Sequence, residues 1–268
     1  MSILSCPKCH QNLQTDGQRW LCPDGHSYDR ARQGYINLLL VNQKKSKNPG
    51  DDADMVQTRT AFLDAGYYQP ISDALNALVS SGPVLDIGCG EGYYTRRLQD
   101  HLGTGVDITG LDISREAVRA ACRRGKDICW LVASGARPPV AEHSINTIVS
   151  LFTPLMPQGL DHALATDGDI ITAHTGPHHL YELRQQIYDD VRLDSFSPVA
   201  EMDRAGFRCI DEVPVQFRFH LDSSAMIHNL LLMTPHRWKV SPEKLNALQA
   251  LTSLDIGADV VLHRFRRS

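Results

Sequence analysis

A short apolar segment followed at once by three glycines constrains the fold of this 268-residue chain more than any other feature. Residues 84–87 are apolar except for Asp86, and Gly88, Gly90 and Gly92 follow in the spacing G-x-G-x-G before a helical pattern. A strand that enters a glycine-rich turn and then a helix is typical of cofactor loops at the carboxyl end of a parallel strand. The dinucleotide fingerprint has the different spacing G-x-G-x-x-G. The pattern predicts a cofactor loop, and a purely structural glycine turn is the alternative.

Apolar strands and helical segments alternate after this loop. Strands are predicted at 109–114, 128–133, 145–151 and 170–173, with a helix at 115–125 and a turn at 164–169. Alternation of this kind is typical of a parallel, doubly wound sheet covered by helices on both faces. The sequence therefore predicts an α/β fold for this part of the chain.

Polar residues at the ends of two predicted strands are candidates for contacts with an adenosine-type cofactor. Asp112 ends the second strand, twenty residues after Gly92, where a carboxylate can accept both ribose hydroxyls. Asp107 is a competing candidate, but it precedes the strand rather than ending it. Ser134 ends the third strand and is expected to bond the base.

The first residues of the chain contain a metal-binding pattern. Cys6, Cys9, Cys22 and His26 have the spacing C-x2-C-x12-C-x3-H, in which two turns can each present a pair of ligands to one tetrahedral ion. Four protein ligands leave no open position, so the site is predicted to be structural zinc (Zn2+). A redox or incidental cysteine cluster is the alternative. His10 also lies nearby, but its spacing fits two such turns less well.

The chain divides into a small domain at 1–40, a linker at 41–54 and a large domain at 55–268. The linker contains lysines, a Pro-Gly pair and aspartates, and is predicted to be mobile and exposed. Two helices are predicted to follow it and to meet at a turn near residues 66–70.

Charge is distributed unevenly along the chain. The first fifty residues have seven basic and three acidic side chains, a net charge of +4, whereas the whole chain has a net charge of −4. A basic head on an acidic body suits a module that contacts phosphate. Within the head, Tyr28 and Tyr35 either contact a nucleic acid or pack the small domain.

Several classes of protein are disfavoured. No apolar run approaches the ~20 residues that span a bilayer, and the first residues lack the apolar region of a signal peptide. A soluble, cytoplasmic protein with no membrane contact is expected. The seven cysteines are an odd number in a chain without a secretion signal, which argues against a disulfide framework.

The motifs described above resemble those of known families in two respects. The D-x-G-x-G-x-G loop resembles motif I of class I S-adenosylmethionine-dependent methyltransferases. The order of the zinc knuckle, an R-x-G-Y-x-N-L segment, the Asp-rich linker, F-L-D-A-G-Y-Y-Q-P and D-I-G-C-G-E-G-Y-Y-T resembles bacterial 23S rRNA (guanine-N1)-methyltransferases of the RlmA type. This second resemblance covers nearly the whole chain.

The second resemblance implies a zinc module that recognises rRNA beside a Rossmann-like methyltransferase domain. It also implies a homodimer whose cleft receives a hairpin of 23S rRNA domain II. The zinc ligands of the family fall on the four knuckle residues identified above. Its S-adenosylmethionine contacts fall on Tyr68, Gly90, Glu91 and His179. The other members of the predicted cofactor set are Asp86, Gly88, Gly92, Asp112 and Ser134.

The chemistry implied is methyl transfer to N1 of one guanine, which loses the proton on N1. Asp64, Glu182 and His179 are candidate proton acceptors, and His179 is better explained by cofactor contact. The loop after residue 150 lacks both the Asn/Asp-Pro-Pro-aromatic motif and a cysteine nucleophile, which argues against adenine-N6 and cytosine-C5 methylation. Alternatives are a methyltransferase for a small molecule or protein, and a catalytically silent RNA-binding protein.

Overall fold

The N-terminal segment folds into a small antiparallel sheet. The computed structural model describes residues 3–44, 46 and 49–268. Three short strands, in the order β1-β2-β3, are β1 (Gln14–Thr15), β2 (Arg19–Leu21) and β3 (Ser27–Asp29). A fourth strand, β4 (Ile36–Asn37), leaves this sheet and pairs in parallel with a strand of the large domain.

An eight-stranded sheet forms the centre of the protein, in the order β10-β11-β9-β8-β5-β6-β7-β4. Its strands after β4 are β5 (Val84–Ile87), β6 (Ile108–Asp112), β7 (Cys129–Val132), β8 (Ile145–Leu151), β9 (Leu164–Thr175), β10 (Phe207–Leu221) and β11 (Leu254–Arg267). Strands β4 to β9 pair in parallel, and β11 is antiparallel to both β9 and β10. The predicted doubly wound sheet with a small N-terminal domain is confirmed.

Nine α-helices among the described residues connect these strands. They are α1 (Ala53–Asp64), α2 (Gln69–Leu78), α3 (Tyr93–Leu102), α4 (Arg115–Ala121), α5 (Pro157–Ala163), α6 (Tyr181–Ile187), α7 (Val199–Arg204), α8 (Ser224–Leu232) and α9 (Pro242–Gln249). The two predicted helices around residues 66–70 are α1 and α2, and Pro70 lies in the first turn of α2, where its missing N–H costs nothing. None of the described helices is both long and apolar enough to span a membrane.

The predicted turn at residues 164–169 is wrong. These residues begin β9, whose pairing with β8 shifts register between Ile145 and Thr147. Polar residues are tolerated there because Asp169 is paired with two arginines of β11, and its Oδ1 lies 2.6 Å from Nε of Arg266. The polar run looks like a turn in sequence because its charge partner lies almost a hundred residues away.

Apolar side chains pack on both faces of the large sheet. One cluster contains Phe62, Tyr68 and Leu75 from the first two helices, and the other contains Leu85, Phe207 and Phe265. Zinc-domain residues, including Leu4 and Leu13, belong to the second cluster. The small domain is therefore packed directly against the large one.

The described end of the predicted linker is exposed but held in place. Ser114 Oγ donates to the carbonyl of Asp51 at 2.7 Å, and the Asp51 carboxylate pairs with Arg59. Asp52 then caps α1 by accepting from the N–H of Met55. These contacts place the linker end beside the carboxyl end of β6. The linker residues Lys45, Lys47 and Asn48 lie outside the described residues.

Candidate metal centre and cofactor cavity

The four knuckle residues converge on one point. One ligand atom from each of Cys6, Cys9, Cys22 and His26 lies within 4.8 Å of the others. The Sγ atoms of Cys9 and Cys22 are 3.5 Å apart, and His26 Nδ1 lies 3.3 Å from Cys22 Sγ. Three thiolates and an imidazole at these separations fit the corners of a tetrahedral zinc site. His10 is not part of the cluster.

The aromatic residues of the small domain serve its packing. The hydroxyl of Tyr28 lies 3.2 Å from Cys6 Sγ, where it supports a metal ligand. Tyr35 is buried in the core that spans both domains. The structure thus favours packing over base stacking for these two side chains.

A cavity of about 1470 Å³ opens at the carboxyl ends of the central strands. One side is formed by the glycine loop, Asp86, Asp112 and the linker end. The other side is formed by the loops after β8 and β9, the segment after α6 and the short 3-10 helix Pro235–Trp238. The cavity is large enough to contain a cofactor and a second ligand.

The three loop glycines have positive φ angles of 77°, 57° and 82° at Gly88, Gly90 and Gly92. A Cβ at Gly92 would lie 2.7 Å from the Trp130 ring, whereas at Gly90 the nearest atom is Arg59 Nη1 at 3.8 Å. Gly92 therefore permits close packing of the loop on the sheet. Gly90 leaves its cavity side open, as a cofactor loop requires.

Two carboxyl groups, the buried Asp86 and the half-buried Asp112, face the cavity beside this loop. Thr95 Oγ1 donates to Asp86 Oδ2 at 2.6 Å, and burial raises the pKa of Asp86 to about 7. Asp112 accepts from the N–H groups of Gly90 and Ser114 at 3.0 and 2.7 Å, and burial raises its pKa as well. These two hydrogen bonds hold the Asp112 side chain in place at the end of β6, where the sequence predicts a contact with the ribose.

Glu91 lies in the loop with its carboxylate directed away from the open side. Its Oε2 is 3.2 Å from Arg124 Nη2, and the Tyr93 N–H donates to the same atom at 3.2 Å. Only 2% of Glu91 is exposed. Its side chain thus stabilises the loop from behind.

Tyr68 and His179 form a buried pair in the cavity wall. His179 Nδ1 accepts from the Asp259 N–H at 3.2 Å, so the ring proton is on Nε2, which lies 3.2 Å from the Tyr68 hydroxyl. Burial lowers the pKa of His179 to about 4, which keeps the imidazole neutral. Because Tyr68 accepts this bond, its own hydroxyl hydrogen is available to the cavity.

Replacing His179 by alanine should weaken S-adenosylmethionine binding by about tenfold, the effect of losing one buried hydrogen bond and leaving its partner unsatisfied. Isothermal calorimetry measures this directly. The matched control is His178→Ala, since His178 is exposed next to it in sequence. Equal affinities for the two variants would contradict a role of His179 in cofactor binding.

Four residues predicted for the site do not line the cavity. Gly92 and Ser134 are absent from its wall. Asp64 pairs with Arg124 at 2.7 Å on the outer side of the loop, in a second groove between α1 and α4. Glu182 pairs with Arg218 at 2.6 Å and accepts from the Gly257 N–H at 2.9 Å. Both carboxylates are engaged by cations elsewhere, so the structure offers neither of them contact with a ligand in this cavity.

The cavity also contains residues that were not predicted from the sequence. Arg59, His174 and His236 line it, as do Asp190, Arg192, Asp194 and Phe196 of the segment after α6. The alternation of polar residues at 190, 192 and 194 was a usable signal, because an extended chain directs every second side chain to one face. Phe152, unlike these residues, is suggested by the sequence as an aromatic side chain that could stack on a base, and it lines the cavity with a φ of 54° and 41% exposure.

Comparison with known families matches the two parts of the chain separately. Residues 4–47 match the family described as "RlmA, N-terminal", a zinc ribbon, and residues 84–166 match the family described as "Methyltransferase domain". The predicted zinc site and S-adenosylmethionine-dependent methyltransferase domain are thereby confirmed.

Relatives of similar length cover almost the whole chain. A Bacillus subtilis (strain 168) protein, provisionally named 23S rRNA (guanine-N(1)-)-methyltransferase YxjB, is 32% identical over 97% of this chain and 95% of its own length. The 23S rRNA (guanine(748)-N(1))-methyltransferase of Streptomyces fradiae is 29% identical over 90% of this chain and 88% of its own.

Solved structures support the same fold. A protein of Bacillus halodurans C-125, provisionally assigned as a methyltransferase, is 12% identical with a TM-score of 0.51, over 75% of this chain and 98% of its own. A Pyrococcus horikoshii OT3 protein is 15% identical with a TM-score of 0.50, over 76% of this chain and 91% of its own. At these identities the similarity concerns the fold alone.

Proposed function

The chain belongs to the family of 23S rRNA (guanine-N1)-methyltransferases, and on this basis we propose that it methylates N1 of one guanine in 23S rRNA with S-adenosylmethionine as the donor. One observation carries the proposal. The zinc-ribbon segment contributes β4 to the same sheet that holds the glycine-loop cavity at its carboxyl edge, so an RNA-recognition module and a methyl-transfer site form one unit.

Within this function we retain the division into a zinc domain at 1–40, a linker at 41–54 and a methyltransferase domain at 55–268. The target is proposed to be a domain II hairpin, bound by a homodimer in the cytoplasm, where ribosomes are made. The guanine must be unpaired or flipped out before N1 can enter the cavity. The exposed ring of Phe152 at the cavity wall supports such entry, because unstacked bases stack on aromatic side chains.

The donor supplies an electrophilic methyl group on a sulfonium. The residues of the chain bind and orient it: Asp112 is proposed to hold the ribose, and Asp86 the amino group of the methionine part. Tyr68, positioned by His179, forms the cavity wall on the opposite side of the loop. Catalysis then depends on fixing donor and acceptor in line, since alignment of two reactants supplies much of the rate enhancement.

Donor affinity should depend on pH through Asp86. Burial and the neighbouring charges of Asp112 and Glu91 raise its pKa to about 7, and a cationic amino group prefers the ionised carboxylate. Below pH 7, binding must release a proton, so affinity should rise by about tenfold or more from pH 5.5 to 7.5. Calorimetry in buffers of different ionisation enthalpy should detect the proton release. The Asp86→Asn variant should bind weakly with no such slope, and a slope unchanged by this substitution would exclude Asp86 as its source.

Nucleoside analysis tests the function itself. Purified protein and labelled donor are incubated with undermethylated 23S rRNA, which is then digested to nucleosides. Label in N1-methylguanosine alone is expected. Label in another nucleoside would contradict the proposed target atom. No label in RNA, together with measured donor binding, would favour the alternative of a methyltransferase for a small molecule or protein.

A further inference from the structure

One wall of the cavity is formed by residues 190–196, which we call the wall segment. Asp190, Arg192, Asp194 and Phe196 line the cavity, and the three residues between them do not. The segment has no helix or strand assignment after residue 190. Alternation of this kind is the pattern of an extended chain that presents one face to the cavity.

The wall segment is held by one backbone contact and by two side-chain contacts near its ends. Just before it, Asp189 pairs with Lys244 at 2.5 Å. In its middle, the guanidinium of Arg184 donates to the Arg192 carbonyl and to the Pro177 carbonyl, the latter at 2.8 Å. At its end, the Phe196 ring packs edge-on against His174, with centroids 5.1 Å apart. These contacts hold the segment along the open rim of the cavity, where its charged side chains are both exposed and part of the lining.

The inward-facing charged groups have no partners of their own. Among the described residues, no ion pair or hydrogen bond engages the side chains of Asp190, Arg192 or Asp194. Most other arginines that line the two cavities are paired with carboxylates, as Arg59 and Arg124 are. Unpartnered charges on a fixed wall keep their full capacity to bond a ligand.

The chemistry of this set matches the edge of a guanine. Guanine presents two neighbouring donors, N1–H and the N2 amino group, beside the acceptor O6. A carboxylate accepts from donors, and a guanidinium donates to O6 and N7. An aromatic ring adds a stacking surface for an unpaired base. Adenine places an acceptor at N1 and a donor at the exocyclic position, so the same wall would repel it.

We propose that the wall segment is the guanine-reading element of the site. Asp190 and Asp194 accept the N1–H and N2–H hydrogens, Arg192 donates to O6, and Phe196 stacks on the base. The carboxylate that bonds N1–H removes this proton, which leaves the N–H electron pair on N1. This pair forms the N1–C bond while the C–S electron pair returns to sulfur, and the carboxylate then gives the proton to water. This inference rests on the proposed function and adds to it the residues that select the base.

The test compares guanine with inosine, which lacks only the N2 amino group. The target position is first mapped with the unmodified protein, and 23S rRNA is then assembled by splinted ligation with either base at that position. The variants are Asp190→Asn, Asp194→Asn and both together. Asp203→Asn is the matched control, because Asp203 is an exposed aspartate of α7 that does not line the cavity. Donor affinity and thermal unfolding are measured for every variant.

The unmodified protein and the control should prefer guanine to inosine by about tenfold or more in kcat/KM, the effect of one well-placed hydrogen bond to a base edge. The double variant should lose about a hundredfold in kcat/KM on guanine and most of this preference, with donor affinity unchanged. The inference would be overturned by a double variant that keeps the kcat/KM of the unmodified protein on guanine, or its preference for guanine over inosine. Loss of donor binding by the double variant would also overturn it. If the unmodified protein fails on the guanine rRNA while binding the donor, the proposed function itself fails, a result distinct from these.

Discussion

Replacing Cys22 by alanine is expected to remove zinc from the protein and to abolish rRNA methylation. Cys22 is buried among the other three ligand atoms, and three ligands cannot close a structural tetrahedral site. Zinc binding supplies about 10–16 kcal/mol in small zinc domains, so the segment before β4 should unfold without it. Loss of a side chain that only hydrogen-bonds to a metal ligand lowers metal affinity or activity by up to about a hundredfold. Loss of a ligand itself should therefore lower kcat/KM for rRNA methylation by at least as much.

The measurements are zinc content per chain and kcat/KM on 23S rRNA. Cys209→Ala is the matched control, because Cys209 is a free cysteine of β10 outside the ligand cluster. Donor affinity should change little in either variant, since the glycine loop lies in the other domain. A Cys22→Ala protein that keeps both its zinc and its rRNA activity would contradict the assignment of this ligand.

Replacing Gly92 by alanine is expected to destabilise the protein and to disrupt donor binding together. The new Cβ would lie 2.7 Å from Trp130 Cη2 and 3.1 Å from the Ala121 Cβ, and the residue has a φ of 82°. Backbone strain and overpacking each lower the free energy of unfolding by about 1–3 kcal/mol. The loop can relieve the contact only by moving away from the sheet, which displaces Gly90 and its hydrogen bond to Asp112.

Gly206→Ala separates these two effects. Gly206 has a similar φ of 86°, but no atom lies within 4 Å of the position that a Cβ would take there. The free energy of unfolding of this variant should therefore fall only by the contribution of backbone strain, about 1–2 kcal/mol. Its donor affinity should be unchanged. Urea unfolding and calorimetry give both quantities. Equal losses in the two glycine variants would show that close packing at Gly92 does not shape the loop.

The elements that were predicted well from the sequence are those defined by residues that lie close together in the chain. The glycine loop, the zinc ligands and the strand that ends at Asp112 each combine residue type and spacing within a few turns of chain. Their geometry follows from backbone rules that hold in any parallel α/β protein. The glycine loop and the carboxylate at the end of β6 could therefore be anticipated from the sequence, and their contacts with a cofactor stay predictions.

Predictions that depended on distant partners were less successful. Asp64 and Glu182 were plausible proton acceptors until the structure placed Arg124 and Arg218 beside them. The run before Asp169 resembled a turn because Arg264 and Arg266 follow much later in the chain. The wall segment was missed because it has no regular secondary structure: its polar alternation is visible in the sequence, but the cavity that it borders is not.

Primer extension on methylated 23S rRNA tests the central claim most directly, because a methyl group on guanine N1 blocks Watson–Crick pairing and stops the polymerase. Undermethylated 23S rRNA is incubated with purified protein and donor, with a donor-free reaction as the control. The account predicts one new stop at a single guanine of domain II that depends on the donor. Extension without any new stop, by a protein that binds the donor, would contradict it.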